Sequence, residues 1–330
     1  MSDAAHRGPH RPPGHGRRHG QRGAALLVAM LVVTVVTTLA AGMVWQQWRA
    51  VQVESAERAR VQAAWILAGA LDWARLILRE DARSGGVDHL GEPWAVPLAE
   101  ARLATFLAAD AEAPDDAGLQ AFLAGSITDA QARYNLRNLI NAERQIDPAQ
   151  LRVLRRLCER AGLSAALADQ IAAGLHEAWT GQPAEAPLAP RTLAELRWLG
   201  VPAEALQQLE GWLVLLPAPT PVNLNTAPAP VLAAALEGLD EAGAQRLVRA
   251  RERRPFDSIE QARQALGSDT PVRFDGASVA SAFFVVQGRM RLDTRAVEER
   301  SLVQRVGRDV IVLQRERVNI VTGAGAPSRP

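Results

Sequence analysis

Apolar residues run almost without interruption from Ala24 to Val44, and no charge occurs between Ala24 and Trp48. At about 1.5 Å per residue, a helix of that length crosses a hydrocarbon core of about 30 Å. Beyond it the pattern turns amphipathic without a chain break. Ala56, Ala59, Ala63, Ile66, Ala70, Trp73 and Ile77 recur at alternating steps of three and four, which places them on one stripe of a helix. The pattern therefore predicts a single helix over residues 24–82, apolar all round in its first half and one-sided in its second.

Two extended stretches follow, Trp94 to Leu98 and Leu123 to Thr128. Helix-start signals then dominate: Asp147 before Pro148, Ser164, Thr192 with Glu195, Thr226 with Pro228, and Asp257 with Glu260. After Ser278 the period becomes two. Phe283, Val285 and Gln287 oppose Phe284 and Val286, then Leu302 and Val303, then Val310, Val312 and Gln314, with Gly288, Asp293 and Gly307-Arg308-Asp309 as breaks. A helical block between early and late strands predicts an α+β body, residues 83–134 and 278–318, that carries a helical insert at 135–277. Residues 319–330, ending GAGAPSRP, read as a disordered tail.

A chain of 330 residues, 48% hydrophobic and 22% charged, accommodates two compact units beside a terminal segment. Its formal charge of +1 is unevenly spread. Arg7, Arg11, Arg17, Arg18 and Arg22 against Asp3 give the first 23 residues +4, which leaves −3 for the remainder. A mildly acidic body has no electrostatic reason to hold a polyanion. The leader, rich in Gly, Pro, His and Arg, reads as a solvated basic tail, including His6, His10, His15 and His19. Arginines ahead of the apolar run keep the leader cytoplasmic and export the body. The lone Cys158 excludes an intrachain disulfide and a thiolate metal cluster, and its apolar helical surroundings make it a small buried hydrophobe.

Three processing fates fit the amino terminus: a plain bitopic anchor, a secretory signal cut near Gly42, and a pilin-type leader. The apolar run is longer than a secretory h-region, which weakens the second. Arg22-Gly23-Ala24 favours the third, because prepilin leaders end in a basic residue and Gly with the apolar helix retained after the cut.

Catalytic signatures are absent: there is no Gly-x-Ser-x-Gly elbow, P-loop or His-Glu-x-x-His, and His176-Glu177 stands alone. Asp110, Glu112, Asp115 and Asp116 surround Pro114 and offer oxygen ligands to calcium, but without an ordered ligand loop turned by glycine.

The segments QRGAALLVAMLVV and RVQAAWILAGALDWARLILRED resemble the start of the type II secretion system protein K family, the minor pseudopilins. Ile127 to Leu139 (ITDAQARYNLRNL) resembles that family's strand and its Asn-Leu-x-Asn-Leu entry into a helical insertion. Val222 to Ala227 (VNLNTA) with Pro255 to Ser258 resembles the second helical repeat, and Ser281 to Arg305 the final sheet. Most pilin-like subunits carry Glu at the fifth mature position; Val28 stands there, and family K typically lacks the glutamate.

The resemblance implies a structural subunit and no enzyme. Its fold would be a pilin-like long helix on a small antiparallel sheet, with a large helical insert of SAM or helix-hairpin type. It further implies cleavage by prepilin peptidase between Gly23 and Ala24, methylation of the Ala24 amine, a single pass through the bacterial inner membrane and a periplasmic body. The implied partners are minor pseudopilins I and J and the major pseudopilin assembly, and the implied role is to cap a pseudopilus. Some members bind calcium at an Asp-rich stretch after a Trp. The comparable stretch here, Trp179 to Pro187, contains only Glu185, so calcium is not expected.

A rival resemblance joins Val222 to Leu266 to helix-hairpin-helix proteins of DNA uptake. That motif meets phosphate through a Gly-apolar-Gly turn. Here the turn is Glu237-Gly238-Leu239-Asp240-Glu241, acidic where the second glycine belongs, although Arg246, Arg249, Arg251, Arg253 and Arg254 follow.

Overall fold

The computed structural model describes residues 21–102, 121–181, 185–267, 271–292 and 295–321. The chain forms two compact units, Met1–Gln62 and Ala63–Pro330. In the first, every described residue belongs to helix α1 (Gln21–Ser84), whose side chains from Ala24 to Ser55 are all exposed. Thr34, Thr37 and Thr38 turn their hydroxyls back onto carbonyls three or four residues earlier, so the apolar run shows no unpaired polar group there. It is the one helix among the described residues that is long and apolar enough to cross a membrane.

In the second unit, the α1 residues from Ala63 onward lie across a five-stranded antiparallel sheet. Its strands are β1 (Leu98–Arg102), β2 (Ala121–Asp129), β7 (Phe283–Leu292), β8 (Arg295–Val306) and β9 (Asp309–Val321), in the order β1-β2-β7-β8-β9. Ala63, Leu67, Leu71, Ala74 and Leu78 form the buried face of α1. They meet Leu123, Ile127, Phe284, Val286, Met290, Val303 and Val310 on the sheet. Each large side chain so buried contributes about 1.5–3 kcal/mol. The stripe predicted from sequence is displaced from this face. Trp73 is 65% exposed, and the larger leucines at 67, 71 and 78 take the inward positions.

Gly288 is not a break between strands but the centre of β7, opposite Gly125 on one side and Glu299 on the other. A Cβ built there lies 3.1 Å from Leu67 Cδ2, so the glycine is what lets α1 approach the sheet. Gly288→Val is expected to cost about 1–3 kcal/mol through overpacking, read as a lower denaturant midpoint with an unchanged slope; an unshifted midpoint would mean that α1 can lift without cost.

The other sheet face, through Phe283, Val285 and Leu302, packs against Ala130, Val214 and Leu216. The insert lies between β2 and β7. It contains α2 (Pro148–Arg160), α3 (Ala165–Thr180), α4 (Ala203–Leu209), α5 (Ala229–Ala235), α6 (Glu241–Arg253) and α7 (Ile259–Leu266), around one large core that includes Leu154, Leu157, Ile171, Leu175, Leu232 and Leu247. Two short parallel ladders tie it in: β3 (Tyr134–Asn135) with β4 (Leu213–Val214), and β5 (Val222–Asn223) with β6 (Ala277–Ser278).

Asp147 caps α2 through the amides of Ala149 and Gln150, Ser164 caps α3, and Thr192 with Glu195 makes a full capping box on a 3-10 turn. Two expected caps are displaced. Ser258 caps α7 in place of Asp257, and Pro228 precedes α5 while Thr226 turns elsewhere. Trp94 lies in a 3-10 turn (Pro93–Ala95) and not in a strand; its buried ring meets Phe284 edge-on at 5.2 Å. Strand β9 pairs through Val321, into the stretch expected to be a tail. Cys158 is buried, and burial first, then Glu159 and Asp169, pushes its thiol up to about 11.

Candidate functional site

The motif Asn-Leu-x-Asn-Leu acts as a clamp. The Asn135 side chain donates to Ala218 O (2.7 Å) and Thr220 Oγ1 (3.0 Å) and accepts from the amides of Arg137 and Leu216. Asn138 exchanges two hydrogen bonds with the backbone of Thr220. The leucines between, Leu136 and Leu139, are fully buried. A side-chain amide can satisfy both a donor and an acceptor of a passing chain that has no ladder of its own, which is why Asn serves here.

The second motif, VNLNTA, builds a polar junction between insert and sheet. Asn223 Nδ2 donates to Asp88 O, Asp129 Oδ2 and Ser281 Oγ at 3.0–3.1 Å. Asn225 exchanges two hydrogen bonds with the Phe256 backbone. The fully buried Asp129 carboxylate accepts from Thr226 Oγ1 (2.6 Å), Ser281 Oγ (2.6 Å) and the Gln131 amide (2.7 Å). Burial raises its pKa above the ordinary carboxylate value, and these donors pull against the rise.

Next to it, Arg305 at the end of β8 donates to Asp81 Oδ2 (2.6 Å), to both oxygens of Asp88 (2.6 Å each) and to Ser281 O (2.8 Å), with its guanidinium 5.0 Å from the Phe284 ring centre. Asp88 is 2% exposed and also accepts the Ser281 amide. Gly85 and Gly86, both at positive φ, turn the chain sharply from α1 to bring Asp88 and Glu92 back beside Asp81. Carboxylate oxygens of Asp81, Asp88 and Glu92 lie within 4.8 Å of one another. Arg305 is already the cation of this cluster, so the geometry serves to lock α1, the following loop and β8 together. Sequence reasoning quoted Asn223 and Thr226 but missed Asp81, Asp88, Asp129, Ser281 and Arg305 as a group.

Of the other residues singled out in the sequence, Val28 is exposed on α1, and Ala24 stands in its first turns. Asp110, Glu112, Asp115 and Asp116 lie outside the described residues. At Trp179 itself, Arg137 stacks on the indole at 4.4 Å and Arg144 donates to Trp179 O, so two guanidiniums stand beside that residue. In the acidic hairpin turn, Gly238 takes φ 85, and the Asp240 carboxylate accepts from Gly243 N at 2.7 Å at the start of α6. A phosphate would have to displace that carboxylate. Arg251, counted in the sequence with a solvated basic run, is instead half-buried and donates to Leu224 O and Ala227 O (2.6 Å each); burial pulls its pKa down to about 10.

Residues 132–218 and 222–290 each match a model of the family described as type II secretion system (T2SS), protein K. These spans contain the Asn clamp and the VNLNTA junction. At the level of fold, the chain matches one in the crystal structure of the GspK-GspI-GspJ complex from the enterotoxigenic Escherichia coli type 2 secretion system, with a TM-score of 0.60 and 21% identity over 80% of this chain and 98% of that one. Sequence identity carries the relationship further, reaching 33% over 247 residues with type II secretion system protein K of Pseudomonas aeruginosa, or 67% of this chain and 69% of that protein. With the motifs explained by their contacts and two thirds of each sequence aligned, the chain belongs to the type II secretion system protein K family, whose members are structural pseudopilins and not enzymes.

Proposed function

We propose that this subunit caps the distal end of a short periplasmic pseudopilus, seated on minor pseudopilins I and J. In this reading residues 1–23 are a cytoplasmic leader removed by prepilin peptidase between Gly23 and Ala24, the new Ala24 amine is methylated, α1 spans the inner membrane and the body is periplasmic.

Val28 carries the reading. In a pilin-like fibre the glutamate at this place offsets the charged terminal amine of a neighbour inside the bilayer, where an unpaired charge is costly. Valine cannot do so, which suits a subunit accommodated once, at the first-assembled end, and not one stacked repeatedly. The insert supports the same place, since a helical block of that size in every subunit would obstruct a close-packed shaft. The name of the related structure, a GspK-GspI-GspJ complex, accords with partners of this kind.

The surface of α1 opposite its buried face is a suitable seat for neighbouring helices. Trp65 (75% exposed), Trp73 and Leu76 line it. Aromatic residues of this sort are frequent hot spots, each worth about 2 kcal/mol or more when truncated. The double variant Trp65→Ala, Trp73→Ala is therefore expected to weaken association with I and J about tenfold or more while melting like the wild type, because neither ring is buried in the subunit.

The decisive experiment mixes full-length processed I, J and this chain in detergent and weighs the product by light scattering. A one-to-one-to-one complex is expected; fibres formed by this chain alone, or crosslinks spread along a filament shaft, would sink the proposal.

A further inference from the structure

A cleft of about 400 Å³ lies between the insert and the sheet face that α1 leaves uncovered. Its insert wall comes from the 3-10 turn at Leu193–Leu199 and from α4; its floor is Val285 and Leu302; its far rim is Gln314 and Glu316 on β9. Four guanidinium-bearing residues line it: Arg133, Arg191, Arg197 and Arg300. Glu210 and Glu316 are the carboxylate residues of the same lining, so positive charge is in excess by two.

The excess is poorly neutralised. Arg300 approaches Glu210 at 3.6 Å, a loose pair on an exposed surface. Among the described residues, the side chains of Arg133, Arg191 and Arg197 make no hydrogen bond or ion pair. For Arg133, burial lowers the pKa and the charge of Arg300 lowers it further, against smaller opposing contributions from Glu210 and Asp129. A guanidinium held partly out of water beside a second one is better matched by a carboxylate than by solvent alone. Two other half-buried arginines are matched, Arg305 by two aspartates and Arg251 by two carbonyls, whereas Arg156 keeps a buried Nε without a partner.

We propose that this cleft is a docking site for an acidic peptide segment of a protein partner, held by bidentate carboxylate pairing to Arg133 and Arg300 and capped from the insert by Arg191 and Arg197. The floor is apolar, and β9 is the edge of the sheet, its outer backbone groups unpaired among the described residues. An extended acidic chain therefore finds main-chain partners along the rim and guanidinium partners for its carboxylates inside. A small inorganic anion fits the charges but gains nothing from the apolar floor. This site is separate from the helix contacts proposed with I and J and stands whether or not the subunit sits at a tip.

The probe is a fluorescent ten-residue peptide alternating Glu with Val, with a Gln-for-Glu copy as control, titrated into the full-length protein in detergent and followed by anisotropy. Binding is expected for the acidic peptide, falling about tenfold or more when salt is raised from 50 to 500 mM because the contacts are ionic, and absent for the Gln copy. Arg191→Gln with Arg197→Gln, both at exposed positions, is expected to leave melting unchanged and weaken binding about tenfold; Arg133→Gln is expected to weaken it as much or more. Equal binding of the Gln copy, no effect of the exposed double variant, or complete displacement of the peptide by phosphate at equal concentration would overturn the assignment.

Discussion

Replacing Arg305 with alanine is expected to destabilise the second unit by about 3–5 kcal/mol, the usual consequence of removing one partner from a buried charged cluster. For a unit of this size that is on the order of 10 °C in Tm, read by calorimetry. The reason lies in what remains. Asp88, almost wholly shielded from water, would keep the Ser281 amide but lose both charge-assisted bonds, while Asp81 and Glu92 stay within 4.8 Å of it. Three carboxylates would then share a half-buried site with no cation. A shift below about 1 kcal/mol would show that water enters and rehydrates the cluster freely.

The same cluster sets a pH dependence. Burial pushes Asp81 up to about 6, helped by the charge of Glu92 and a hydrogen bond with it, and opposed by Arg305. The folded chain thus holds this proton more tightly than the unfolded chain, whose Asp titrates near its ordinary value of about 3.9. The contribution is therefore complete below that value and is lost as pH rises through about 6. Asp129 is raised as well and acts in the same sense. Comparing Asp81→Asn with the wild type isolates the first residue: the denaturant midpoint of the wild type should fall more between pH 4.5 and 7.5 than that of the variant. Parallel curves would remove Asp81 as the titrating group.

These residues show where sequence reading stops. The anchor run, the caps at Asp147, Ser164 and Thr192, the late strands and the buried Cys158 were legible because each is decided by neighbours a few positions away. The Arg305 to Asp81 pair spans 224 positions, and each member alone looks like a helix end or a strand end. Thr226 precedes Ala-Pro and reads as a cap, yet its hydroxyl goes to Asp129, 97 residues earlier. A hydroxyl chooses between a local amide and a distant carboxylate only once the chain has folded. The stripe on α1 was misplaced for a different reason. In an Ala-rich helix both faces carry apolar residues, so period alone does not fix the phase; the larger Leu67, Leu71 and Leu78 mark the buried face and could have been weighted by size. Gly288 read as punctuation because a glycine that admits a helix and one that ends a strand look alike until the helix is placed.

The largest effect on function is expected from Gly23→Val, with retention of the leader and at least a tenfold loss of secretion by the assembled system, on the order of what losing an essential subunit entails. Two physical steps lead there. Glycine is the weakest ordinary helix former, by about 1 kcal/mol against alanine, so the bond before Ala24 unwinds readily into the extended form a peptidase needs. A β-branched residue there puts a bulky side chain beside the scissile bond and crowds the cleavage site that glycine leaves open. An uncut leader then leaves Arg7, Arg11, Arg17, Arg18 and Arg22 ahead of the apolar run. Drawing α1 out of the bilayer into a pseudopilus would drag these arginines through hydrocarbon at about 2.5–3.5 kcal/mol each by the insertion scale, so even two of them oppose assembly by about 5–7 kcal/mol, roughly a thousandfold or more in equilibrium. Amino-terminal sequencing of the membrane-bound chain checks the first step, and secretion of an exported enzyme checks the second. Gly42→Val is the control, since small Ala40 and Gly42 mark the rival cut. Wild-type chains that begin at Ala24, an uncut Gly23→Val and a normally processed Gly42→Val are the expected set. A mature chain beginning after Gly42, or at Met1, would refute the pilin-type leader and the assembly step proposed to depend on it.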